Sequence, residues 1–256
     1  MSETRAQEAD RLSKGFFLEG TNGAVVLLSH GFGSSPSEHV LTAKAFNAAG
    51  YAVDAPLLAG HMVDEKEFDK IPWGAWYKTL EDEYLKLKEK YKKIYFSGLS
   101  MGGCLALRLA EYYPCAAVGV MAPALINKSK ASSLACLIAP FKKRLPFSTV
   151  FSGFPDNAEE YLRGYPDISV HAAAELNKLE KDTRKHLKNI VSPVIVFQSH
   201  ADTMVDPKGA QYLMDHVSSP IKKAVYFEKS GHCMSLDSDR DAIFASMVAF
   251  FDERNK

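Results

Sequence analysis

The sequence predicts an α/β fold: a doubly wound, mostly parallel sheet with helices on both faces and one long insertion. Three observations carry that prediction. Strand-like and helix-like segments alternate along the chain. The clearest strand candidate, Ala24-Val25-Val26-Leu27-Leu28, is a continuous apolar run, as expected of a strand buried on both faces. The residues able to do chemistry fall just after strands, where loops gather at the carboxyl edge of a parallel sheet.

The elements follow in order. After strand 24–28 a helix is expected from Pro36 to Ala49, with Ser35 as N-cap, Pro36 at the first helical position and Gly50 as its stop. Tyr51 to Asp54 returns as a strand. From Trp73 to Tyr91, Trp73, Trp76, Tyr77, Leu80, Tyr84, Leu87 and Tyr91 recur at helical spacing, with Glu81, Asp82, Lys86, Glu89 and Lys90 on the other side. Strand 93–97, a nearly all-apolar helix 103–113 and strand 117–121 come next. About 70 residues then pass before strand 194–198, far more than an ordinary crossover needs. Helix 207–217, strand 223–228 and a terminal helix burying Ile243, Phe244, Met247, Phe250 and Phe251 complete the pattern.

Composition excludes several function classes. Of 256 residues 46% are hydrophobic and 24% charged, ordinary values for a folded globular protein. Lys plus Arg equals Asp plus Glu at 31 each, so the basic excess of a nucleic-acid binder is missing. No apolar run approaches the roughly 18 residues of a membrane span. Cys104, Cys115, Cys136 and Cys233 form no C-x-x-C pair, and reduced thiols in a cytoplasm are the expectation. Residues 1–15 read as a polar N-terminal tail or short polar helix, without the apolar core of a signal peptide. The chain has no phosphate-binding glycine loop, metal-ligand cluster, or flavin or nicotinamide fingerprint, so no cofactor and no metal are expected.

Gly98-Leu99-Ser100-Met101-Gly102 spells G-x-S-x-G between a strand and a helix, the context in which a sharp turn lifts a serine hydroxyl clear of a sheet edge. A serine hydroxyl is a weak nucleophile at neutral pH and needs an imidazole to take its proton. His232 follows the last strand on a loop at the correct edge. His39, His171, His186 and His216 fall on helical stretches and read as surface or packing residues. His30 and His61 lie on loops near the site but precede the acid in the chain order Ser, Asp, His. Two aspartates follow strand 194–198. Asp206 precedes Pro207 and a helix, which suits an N-cap, whereas Asp202 sits on the turn itself and is the candidate orienting acid. Two backbone N–H groups should face the oxyanion, those of Met101 and of Phe32 in His30-Gly31-Phe32-Gly33.

Ser29-His30-Gly31-Phe32-Gly33, Gly98 to Gly103, His200-Ala201-Asp202 with Val205, and Ser230-Gly231-His232 with Leu236-Asp237 resemble the α/β-hydrolase fold. Within it they are most similar to small bacterial carboxylesterases and monoacylglycerol lipases, from about Phe16 to Phe251. Pro56 to His61 resembles the loop after that group's third core strand, although Met62 stands where many relatives have glycine. The resemblance implies a core of residues 16–121 and 191–253 with a cap or lid over 122–190. It also implies a serine carboxylic-ester hydrolase working through an acyl-enzyme on short to medium chain acyl esters, monoacylglycerols being one candidate substrate. Leu137, Ile138 and Phe141, in the apolar first half of the insertion, are the candidate acyl-pocket residues. Two alternatives stay open: an amidase or peptidase of the same fold, since the triad does not separate esters from amides, and a catalytically dead homologue that only binds ligand. Dehalogenases and epoxide hydrolases on this scaffold use a carboxylate nucleophile, and Ser100 argues against them.

Overall fold

In the computed structural model, which describes residues 3–128, 144–146 and 153–256, the apolar runs become the inner strands. The strands are β1 (Phe16–Leu18), β2 (Ala24–Ser29), β3 (Ala52–Ala55), β4 (Lys93–Leu99), β5 (Ala117–Met121), β6 (Arg144–Pro146), β7 (Asp167–Ser169), β8 (Val194–Ser199) and β9 (Lys222–Phe227). Seven of them join in the order β1-β3-β2-β4-β5-β8-β9, while β6 and β7 pair separately and antiparallel. Only β1 runs against its neighbour in the large sheet; every other pair there is parallel. Every residue of β2, β5 and β8 is buried, whereas β9 at the edge is largely open to solvent. That contrast explains why β2 reads as a continuous apolar run and β9 begins with two lysines.

Helices α4 (Trp73–Lys90), α5 (Met101–Tyr112), α6 (Val170–His186) and α7 (Lys208–His216) pack on one face of the sheet. Helices α2 (Val40–Ala48) and α8 (Arg240–Asn255) pack on the other, and the one-turn α3 (Glu65–Phe68) lies between β3 and α4 in the chain. The α2–α8 side is closed by stacked rings, with Phe251 4.5 Å from Tyr95 and 5.3 Å from Phe46 between centroids. On the other face Trp76, Leu80, Tyr84 and Leu87 of α4 are buried, the stripe expected from their spacing.

One local expectation changes, and of the two readings of the N-terminal segment the helix is the one found. The helix expected over 36–49 begins as a 3₁₀ turn, Pro36–His39, and only becomes α-helical at Val40. Ser35 does not cap it: its hydroxyl meets that of Ser37 at 2.9 Å, and Ser37 in turn bonds the Tyr161 carbonyl at 2.5 Å. The polar N-terminal segment contains a helix, α1 (Arg5–Leu12), opened by a reciprocal Thr4–Gln7 capping box. Its Ala9 and Leu12 are buried against Val40, Phe154, Tyr161 and Leu236 in a small second core. Leu137, Ile138 and Phe141 lie outside the described residues.

Candidate active site

The parallel register brings the connections after β2, β4, β8 and β9 to one sheet edge. Ser29 pairs with Gly98 across β2 and β4, so the glycine loop after β2 starts beside the turn after β4. Ser199 pairs with Phe227 across β8 and β9, which sets the loops after those strands side by side.

Ser100 occupies the turn between β4 and α5 with φ 56° and ψ −116°, a conformation that L-residues avoid. The surroundings hold it there. Its N–H donates to the Met121 carbonyl at 2.9 Å, and its own carbonyl accepts from Cys104 at 3.1 Å and Ala124 at 3.2 Å. The motif glycines are required by close backbone approach. A Cβ on Gly98 would lie 2.4 Å from the Gly102 backbone, and one on Gly102 only 2.0 Å from the Ser29 carbonyl oxygen.

Asp202 and His232 meet directly, Nδ1 to Oδ2 at 2.8 Å, both in buried positions. The other Asp202 oxygen accepts the Met204 and Val205 amides at 2.8 and 3.0 Å, and Gln198 Nε2 approaches Oδ2 at 3.3 Å. Burial alone would push this carboxyl up. The His232 charge and hydrogen bond, together with the two amides, hold it below the ordinary carboxylate value instead. An ionised acceptor fixes the proton on Nδ1 and leaves Nε2 as the basic nitrogen. No hydrogen bond joins Ser100 to His232 in this structure, a spacing common before substrate binds. Asp206 is elsewhere engaged, its Oδ1 taking the Lys208 amide at 2.9 Å where α7 begins.

Among the described residues no acceptor is found for the amides of Phe32 and Met101, and Met101 opens α5, where the helix dipole favours negative charge. The amides flanking Phe32 are occupied: Gly31 N–H by Glu38 at 2.5 Å and Gly33 N–H by His61 Nε2 at 3.3 Å. His39, read from the sequence as a helix-surface or packing histidine, is fully buried and reaches the Ser29 carbonyl at 3.0 Å. Glu38 went unnoticed in the sequence because its partner is a backbone group seven residues away, a contact without a local pattern. Met62 has φ 57°, a left-handed conformation that favours glycine, and its side chain is exposed.

The model of the Hydrolase_4 family, described as serine aminopeptidase S33, matches residues 20–239. The chain belongs to this family. It is a serine hydrolase of the α/β-hydrolase fold. It is similar to a thermostable monoacylglycerol lipase of Bacillus sp. (strain H-257), 32% identical over 253 residues covering 92% of this chain and 93% of the relative. It is also similar to a carboxylesterase of Bacillus subtilis (strain 168), 27% identical over 241 residues, 94% and 96% of the two chains. Among solved structures, one from work on the metagenome-derived lipolytic enzymes LipS and LipT superposes with a TM-score of 0.87 at 25% identity, covering 94% and 98%. A soluble variant of the Saccharomyces cerevisiae monoglyceride lipase superposes at 0.80 with 20% identity, covering 94% and 92%, a likeness of fold. No described helix is long and apolar enough to cross a membrane.

Proposed function

We propose that this hydrolase cleaves carboxylic esters of short to medium acyl chains, monoacylglycerols among them, through an acyl-enzyme on Ser100. The observation that carries this reading is the 2.8 Å Asp202–His232 bond, formed at the sheet edge that also holds the strained Ser100 turn. His232 Nε2 takes the Ser100 proton as Oγ bonds to the ester carbonyl carbon. The carbonyl oxygen becomes an oxyanion that accepts the Phe32 and Met101 amides. The imidazolium, stabilised by Asp202, gives its proton to the departing alkoxide as the C–O bond breaks. Water then repeats the cycle on the acyl-enzyme, its proton going to Nε2 and back to Ser100, and the carboxylic acid leaves.

The curated relatives favour esters and, through the Bacillus sp. lipase, monoacylglycerols. The family description names an aminopeptidase and keeps amide cleavage as the second reading. A cap over residues 122–190, from which α6 returns to pack on the sheet, with Leu137, Ile138 and Phe141 toward the acyl chain, and a cytoplasmic location belong to the same proposal. The free thiols of Cys104, Cys115 and Cys233 are consistent with such a location.

The test is a panel of p-nitrophenyl and glycerol esters of graded chain length beside aminoacyl anilides, run on the wild type and Ser100→Ala. Esters should turn over far faster than anilides, and a fluorophosphonate probe should label the wild type alone. Loss of Ser100 should remove most of a roughly millionfold rate contribution. More than a few per cent residual ester hydrolysis in a folded Ser100→Ala protein would overturn the nucleophile assignment.

A further inference from the structure

We propose that Glu38 is a positioning residue for the oxyanion-binding amide of Phe32. This inference rests on the serine-hydrolase reading above and extends it to a side chain that never meets substrate.

Gly31 joins two peptide planes whose relative orientation a glycine leaves unusually free. The plane before it carries the Gly31 N–H. The plane after it carries both the Gly31 carbonyl and the Phe32 N–H, on opposite sides of one rigid amide. Turning the second plane therefore turns the oxyanion donor with it. Two side chains fasten the two planes. Glu38 Oε1 accepts the Gly31 N–H at 2.5 Å, and His30 Nδ1–H donates to the Gly31 carbonyl at 2.9 Å. His30 is itself held, its Nε2 accepting the Leu58 amide at 3.1 Å.

Glu38 suits this task by position and by chemistry. It is 2% exposed, at the 3₁₀ turn that precedes α2, and His39 beside it anchors the same loop one residue earlier through the Ser29 carbonyl. A Cβ on residue 31 would stand 3.3 Å from Glu38 Oε1, so glycine there gives the carboxyl room for its short approach. Any neutral acceptor would satisfy one buried amide. A buried carboxyl costs more to desolvate than a hydroxyl or amide would. What it supplies in return is a shorter, stiffer bond that fixes direction. The 2.5 Å contact has that character.

The experiment measures kcat and KM per active site, titrated with a fluorophosphonate, together with the inhibition constant of an acyl trifluoromethyl ketone, whose adduct carries an oxyanion. In Glu38→Ala, kcat should fall about 10- to 100-fold, part of the 10²–10³ lost when an oxyanion donor is removed outright. KM should stay within about threefold, and trifluoromethyl ketone affinity should weaken by the same factor as kcat/KM. Glu38→Gln, whose amide oxygen still accepts the Gly31 N–H but without the short, charge-assisted bond, should recover only part of the loss. Should Glu38→Ala fail to fold, Glu38→Asp, one methylene too short, replaces it with the same criteria. Unchanged kcat and ketone affinity per titrated site, in a wild type that labels and turns over ester, would overturn this inference alone. A wild type that neither labels nor turns over ester would overturn the serine-hydrolase reading and this inference together.

Discussion

The loops after β8 and β9 and the turn after β4 reach the same sheet edge by different means. On the Asp202–His232 side, side chains hold one another. One carboxylate accepts an imidazole, two backbone amides and a glutamine. On the Ser100 side the backbone itself is the structure. Gly98 and Gly102 sit where a single added carbon would meet main-chain atoms at 2.4 and 2.0 Å, and the serine's strained φ is held by three main-chain hydrogen bonds. The first side should therefore lose function without losing fold when a side chain changes. The second should lose fold first.

The largest expected effect breaks the first side alone. Asp202→Asn keeps the shape, and an amide oxygen can still accept the Met204 and Val205 N–H groups. It cannot stabilise an imidazolium, and its NH₂ can favour the wrong tautomer of His232. We expect kcat to fall about 10⁴-fold with little change in Tm. A kcat within tenfold of wild type would show that His232 is oriented by something else.

The counterpart on the second side is Gly102→Ala. The new methyl meets the Ser29 carbonyl, a backbone atom of β2 that cannot swing away. Overpacking of this kind costs about 1–3 kcal/mol and at times more. At the upper end Tm should drop by roughly 6–12 °C in a chain of this size. Calorimetry giving a Tm within about 2 °C of wild type would mean that the elbow yields more easily than its geometry suggests.

The glycine loop after β2 should respond to pH through His61. Burial pushes His61 down to about 4. Its Nε2 must stay unprotonated to accept the Gly33 amide. The unfolded chain binds that proton near pH 6.5 and the folded chain only near 4, so stability is complete above 6.5 and falls as pH drops between these values. From pH 7 to 5 this group alone should remove about 2 kcal/mol. His61→Gln, which keeps an acceptor, should flatten the acid slope of chemical denaturation by that amount. An unchanged slope would show that His61 is not buried as a neutral base.

The Asp202–His232 pair and the Ser100 turn had local signals in the sequence. Each follows a strand, and the chain order Ser, Asp, His set His30 and His61 aside. Alternation and apolar runs marked six of the seven strands of the large sheet, whereas the edge strand β1, three residues long, was too short to show a pattern. Glu38, His30, His39 and His61 hold the glycine loop after β2 through backbone contacts up to 28 residues apart, and neither spacing nor composition records such contacts. His39, read as a surface or packing residue, is a packing one, buried on a 3₁₀ turn with its ring at the Ser29 carbonyl. The α1 helix, by contrast, had a readable signal in Thr4-x-x-Gln7, the capping-box spacing.

The smallest expected effect is also the control for the first. Asp206 lies four residues after Asp202 and, like it, accepts backbone amide protons, so sequence alone keeps it as a rival acid. Its Oδ1 takes the Lys208 amide at 2.9 Å, and its carbonyl takes that of Gly209 at 2.8 Å, both at the start of α7. Those are the duties of a residue that starts a helix, and asparagine performs them about as well as aspartate. Asp206→Asn should then leave kcat within about twofold and shift stability by no more than about 0.5 kcal/mol, the usual size of a change away from core and site. Assayed beside Asp202→Asn on one short-chain p-nitrophenyl ester, the pair differs only in which carboxylate loses its charge. A loss at Asp206 as deep as at Asp202 would mean that the acid loop acts as one electrostatic unit. The 2.8 Å bond to His232 would then no longer single out Asp202 as the orienting acid.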